Sequence, residues 1–183
     1  LLQALQALAI DAMLPALGII SRDLGVTNSN DRQLVVGIFL LFAGIGALFH
    51  GSLADRFGRR PVLFSCLGGY VAFSLLAALM RDFTALLVMR ACAGFLSSGM
   101  LVMSATIIRD RFSGDKMARL QSLVGVVFMI IPMVAPSLGQ GVLLIANWRW
   151  IFGIMAGLGL AVSLWAFMRL PETLHPEFRQ PIE

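Results

Sequence analysis

The chain has 183 residues, of which 58% are apolar and only 13% charged, with a formal net charge of +4. Soluble domains carry roughly 25% charged residues, so this composition, with a mean hydropathy of +0.87, excludes an ordinary soluble core. The basic residues are dispersed among short polar stretches without an aromatic-rich platform, which excludes nucleic acid as a partner.

A helix crosses a bilayer in about 20 apolar residues, because its backbone must satisfy its own hydrogen bonds there. Residues 1–20, 33–54, 61–80, 83–108, 120–146 and 148–170 meet that requirement. The expected fold is an all-α integral membrane protein, a six-transmembrane-helix bundle over residues 1–170. Residues 171–183, with Pro171, Pro176 and Pro181, read as a polar cytoplasmic linker.

The first span holds Asp11 one turn before Pro15. It has no basic leader and no small-residue cleavage site, so it reads as a membrane helix rather than a signal peptide. It also opens without Met, which sets the expectation that the chain is a piece of a longer one. A polar connection follows, in which Ser29-Asn30-Asp31 offers a cap for the second span. His50 closes that span and reads as an interfacial side chain able to titrate near neutrality.

Gly51-Ser52-Leu53-Ala54-Asp55-Arg56-Phe57-Gly58-Arg59-Arg60 joins the second span to the third, placing charge at a membrane surface between apolar flanks. Cys66, in the third span, and Cys92, in the fourth, read as buried thiols without a disulfide or metal partner. Arg81-Asp82 makes a minimal turn, and Arg90 lies about two turns into the fourth span. A charge at that depth costs about 3 kcal/mol, so Asp11 and Arg90 should face a bundle interior or a wet cavity. They read either as structural partners or as a proton or cation acceptor, Asp11, with Arg90 its electrostatic modulator.

Ser113-Gly114-Asp115 marks a turn and cap before the fifth span, which carries Gly125, Pro132, Pro136 and Gly139. Each proline removes a backbone donor and bends the helix. Trp148 and Trp150 open the sixth span, where indoles favour the headgroup layer. Small residues within the spans, among them Gly44, Gly46, Gly94 and Gly159, allow close helix approach. Neither a nucleophile–base pair nor a metal-ligand cluster lies at bilayer depth in the sequence, so an enzyme is not expected.

Six spans put Arg56, Arg59, Arg60, Arg109, Arg111, Lys116, Arg119, Arg169 and Arg179 on one side, against Arg22, Arg32, Arg81 and Arg149 on the other. The richer side should be cytoplasmic, and both termini with it.

The 51–60 run resembles the loop 2–3 signature of the major facilitator superfamily. Arg90 followed by Gly94 resembles its helix-four arginine motif, and Gly125 through Ala135-Pro136-Ser137-Leu138-Gly139 its helix-five antiporter motif, with alanine where Gly-Pro is usual. Asp11 with Leu14-Pro15 resembles the D-x-x-L-P of drug:proton exporters of the chloramphenicol and bicyclomycin resistance type, and Arg169-Leu170-Pro171-Glu172-Thr173 closes the sixth span as theirs does. Ala93, Leu96 and Ala47 stand where the family often has glutamine, glycine and glutamine.

The resemblance implies the amino-terminal half of a multidrug antiporter in a bacterial inner membrane. Its partners would be a small hydrophobic drug, protons as the coupling ion, the lipid bilayer, and either a second six-helix half or a second copy; no cofactor is implied. Asp11 and Arg90 would line the central cavity. Gly51, Asp55, Arg56, Gly58, Arg59 and Arg60 would form a conformational latch, with Asp110 in its charge cluster. An uptake symporter on the same fold and a half-size protein with only a structural or dimerising role are the competing readings.

Overall fold

The computed structural model describes residues 1–28 and 30–170, and all regular structure among them is helical. Ser29 of the expected cap and the 171–183 linker, with Arg179, lie outside the described residues. Six helical stretches are long and apolar enough to cross a membrane, so the chain is an integral membrane protein with the expected six-helix bundle.

The first crossing, Leu2–Asp23, is broken. Helix α1 (Leu2–Asp11) gives way to a 3-10 turn at Leu14–Ala16 before α2 (Leu17–Asp23) resumes. Pro15 is the cause, since it has no N–H to offer the Asp11 carbonyl one turn back. The remaining crossings are α3 (Leu34–Phe57), α4 (Arg59–Leu79), α5 (Phe83–Arg111), α6 (Gly114–Ile145) and α7 (Arg149–Arg169).

The helices overrun their expected limits at the basic end. Helix α3 continues through Asp55-Arg56-Phe57, and a single residue, Gly58, separates it from α4. The motif expected as a connecting loop is therefore mostly helical. Gly58 has φ 103° and ψ 153°, a conformation essentially confined to glycine, and that one residue reverses the chain. Helix α5 likewise extends to Arg111 and α6 starts at Gly114, because interfacial charged residues continue a helix readily once its apolar part is anchored.

Caps also differ from expectation. Neither Asn30 nor Ser113 makes a side-chain cap bond. Asp82 does, its Oδ2 accepting from the Ala85 amide at 2.9 Å, so the tight turn holds the best-capped helix start.

Packing is uneven. The most extensive helix contact is between α3 and α5, followed by α4 with α5 and α4 with α7. At the first of these a Cβ on Gly94 would collide with the Phe39 backbone, and one on Gly46 with the Phe95 carbonyl. Without a hydrophobic driving force in lipid, such backbone-to-backbone approach gives helices their dispersion contact. Helix α6 is the opposite case. Only Ala135 and Gly139 are buried along it, and it rests chiefly on α1 and the Leu14–Ala16 turn. Its other faces display Phe128, Met129, Met133 and Leu138.

Two apolar clusters fill the bundle. One, around Phe39, Leu63, Leu67, Tyr70 and Met100, lies between α3, α4 and α5. The other, around Ala16, Ile20, Leu86, Trp148 and Phe152, lies toward the opposite end.

Candidate functional site

The break in the first span is where the motif residues converge. Asp11 ends α1 at intermediate exposure. It has no hydrogen-bond or ion-pair partner among the described residues. Helix α6 crosses here: a Cβ on Gly139 would strike the Ala12 carbonyl and touch Pro15 Cγ. Leu14, Pro15, Pro136, Ser137 and Gln140 line one open cleft beside the crossing. Gly139, from the fifth-span motif, thus meets the first-span motif directly, and Pro136 shares the cleft with it. Pro132 is half-buried one turn away, whereas Gly125 is exposed and meets no neighbour.

Arg90 takes a different position from the one that a salt bridge with Asp11 requires. It is buried, donates from Nε to the Val35 carbonyl and from an Nη to the Ala9 carbonyl, both at 3.1 Å. Its guanidinium lies 4.2 Å from the Phe39 ring centre and 5.8 Å from that of Phe152. Charge-assisted bonds to carbonyl oxygens and two ring faces compensate for lost hydration. The arginine thereby ties α5 to α1 and α3, and it holds the turn of α1 that ends in Asp11.

At the basic end Arg59 is buried and bridges two helices. It pairs with Asp55, one turn back, and donates from Nε to Asp110 Oδ2 at 3.1 Å across to α5. Arg60 donates to the Phe167 carbonyl at 3.2 Å and packs over the Phe64 and Phe167 rings, joining α4 to α7. Arg56 is exposed and stacks on Phe57. Gly51, half-buried, meets no neighbour at its Cβ position. The structure thus brings Asp55, Gly58, Arg59 and Asp110 into one cluster and leaves Arg56 beside it.

Two glutamines of α1 carry no signal in the sequence. Gln3 donates to Ser104 Oγ at 2.8 Å, and Gln6 is buried with its Oε1 unpartnered among the described residues. His50 is buried rather than interfacial. Its Nδ1 lies 2.7 Å from the Gly46 carbonyl and 2.9 Å from Ser98 Oγ, which itself donates to the Phe95 carbonyl. That arrangement places the proton on Nδ1, facing Gly46. Spacing offers a signal in retrospect: Ser97-Ser98-Gly99 supplies small residues with a hydroxyl opposite the only histidine in a span.

Trp148 also departs from expectation. It is fully buried, donating from Nε1 to Asp23 Oδ2 at 2.7 Å, while Trp150 is exposed. The Trp148 ring meets Phe152 edge-on at 6.0 Å, and Arg149 lies over it while donating to the Met80 carbonyl. An indole with a carboxylate in reach is better satisfied inside than in the headgroup layer.

Comparison with known proteins agrees with this architecture. The family described as the Major Facilitator Superfamily matches residues 1–182. The Bacillus subtilis protein called "Uncharacterized MFS-type transporter YdgK" is 37% identical, aligning 99% of this chain with 45% of its own length. The "Bicyclomycin resistance protein homolog" of Haemophilus influenzae is 31% identical over 100% of this chain and 46% of its own. "Multidrug resistance protein MdtL" of Vibrio parahaemolyticus is 32% identical over 91% and 42%. Among solved structures, the human organic anion transporter MFSD10 (TETRAN) superposes with a TM-score of 0.73 at 23% identity, covering 99% of this chain and 48% of that one. The chain therefore spans about half the length of the relatives it matches, and it belongs to the Major Facilitator Superfamily.

Proposed function

We propose that this chain is the amino-terminal half of a proton-coupled exporter of small hydrophobic drugs, working by alternating access in a bacterial inner membrane with both termini cytoplasmic. The observation that carries the reading is Asp11: a carboxylate at membrane depth, unpartnered among the described residues, at a proline break crossed by α6. A carboxylate so placed either keeps its charge against a cation or gives it up by taking a proton. Exchange of proton for drug at Asp11 uses that choice. Arg90 serves by fixing the backbone beside it. The resistance proteins among the relatives favour a drug as cargo.

Alternating access requires a second six-helix half, supplied by a longer chain or by a second copy, rocking against this one. The sparse burial of α6, where only Ala135 and Gly139 are fully enclosed, suits a helix that shifts between the two states. The Asp55–Arg59–Asp110 cluster suits a latch at the cytoplasmic end. Dye flux in inverted vesicles carrying the full-length protein tests the direction. An imposed acid-inside gradient should drive a lipophilic dye inward as protons leave. Dye movement along the same direction as the protons would mean uptake symport instead.

A further inference from the structure

A second site lies at the Arg- and Lys-rich end, away from the break. Leu2 and Gln3 of α1, Ile107 of α5, Leu123 and Val127 of α6 and Trp165 of α7 enclose an apolar slot of about 300 Å³. The Gln3–Ser104 hydrogen bond lies in its wall. Leu123 also belongs to an adjoining hollow, lined by Lys116, Arg119, Ser122 and Val126. The two cavities therefore meet at Leu123, an apolar slot on one side and a hollow with a cationic rim on the other. Lys116 and Arg119 are exposed and make no hydrogen bond or ion pair among the described residues, Asp115 beside Lys116 included.

We infer that this slot and rim bind an anionic phospholipid, with an acyl chain between α1, α6 and α7 and the phosphate on Lys116 and Arg119. The chemistry on each side argues for it. An apolar slot within a membrane-spanning bundle takes a hydrocarbon chain, and two cations in the hollow beside it, one turn apart on α6 and without an ion-pair partner among the described residues, take the negative headgroup. A neutral or zwitterionic lipid satisfies the slot and leaves the rim uncompensated. The site stands independently of drug transport, because no residue of it belongs to the Asp11–Gly139 crossing or to the Asp55–Arg59–Asp110 cluster. Bound there, the lipid would fill the space where α6 stands away from α7, and so brace a helix that the protein itself holds loosely.

Native mass spectrometry of the purified full-length protein, titrated with phosphatidylglycerol or phosphatidylethanolamine of matched chains, tests the inference. Phosphatidylglycerol should be retained in preference. The exposed pair Lys116→Gln and Arg119→Gln should reduce that retention about fivefold each and about thirtyfold together, leaving phosphatidylethanolamine unchanged. Val127→Trp, which fills the slot from an exposed position, should weaken both lipids alike. Equal retention of the two lipids by the native protein would overturn the proposal. So would a charge-removed pair that keeps the preference, or a filled slot that changes nothing.

Discussion

Adding one methyl group at Gly94 tests whether backbone contact between α3 and α5 holds the bundle. A Cβ there would collide with the Phe39 carbonyl oxygen and come within 2.9 Å of its carbon and Cα. Backbone has no rotamer by which to yield, so α3 must move away. Overpacking of this kind costs about 1–3 kcal/mol. Val35, one turn before Phe39, accepts from Arg90, one turn before Gly94. Separating the helices therefore stretches a charge-assisted bond worth about 1.5–3 kcal/mol, and the combined loss reaches roughly 2.5–6 kcal/mol. Gly68→Ala is the control, since nothing stands within 4 Å of its added Cβ. Both substitutions gain similar helix propensity, so their difference isolates the steric term. Thermal unfolding of the detergent-solubilised protein should place Gly94→Ala well below Gly68→Ala, by about 2–4 °C per kcal/mol. Equal midpoints would refute close packing as what holds these helices.

Other consequences are equally specific. Gly58→Ala forces a side chain into a glycine-only conformation and should destabilise by about 1–3 kcal/mol in the same unfolding assay. Arg59→Gln and Asp110→Asn remove the two ends of one bond between α4 and α5, so a double-mutant cycle should show coupling of about 0.5–3 kcal/mol. Additive effects would mean that the pair carries no joint energy. Trp148→Phe keeps the edge-on stack on Phe152 but loses the bond to Asp23, costing about 1.5–3 kcal/mol. Asp23→Ala should then add little in the Trp148→Phe background, as read by the urea midpoint.

The six crossings were legible because apolar runs of bilayer length leave the backbone few alternatives, and the 51–60 motif with Asp11-x-x-Leu-Pro pointed to the family. Local apolarity misplaced the helix ends. Asp55-Arg56-Phe57 looks like a loop, yet the turn needs only Gly58, so the helix continues to it. The burial of Trp148 and His50 was hidden for another reason. Trp148 is satisfied by Asp23, far along the chain, and His50 is enclosed by Ser98 and Phe95 of a distant helix, and no periodicity reports such pairs. Arg90 was recognised as a buried charge, but its compensation by two carbonyls and two rings depends on how three helices meet. The convergence of Gly139 on Ala12 and Pro15 likewise joins two motifs whose separate spacings say nothing of each other.

The central claim is that Asp11 carries the coupled proton. Its most direct measurement is proton release on drug addition, followed with a pH-sensitive dye in lightly buffered solution, for the full-length protein and its Asp11→Asn variant. The amide occupies the same space and cannot exchange a proton, so the variant should bind drug without releasing one and should lose drug export against a gradient. Proton release and export equal to those of the parent protein would contradict the account.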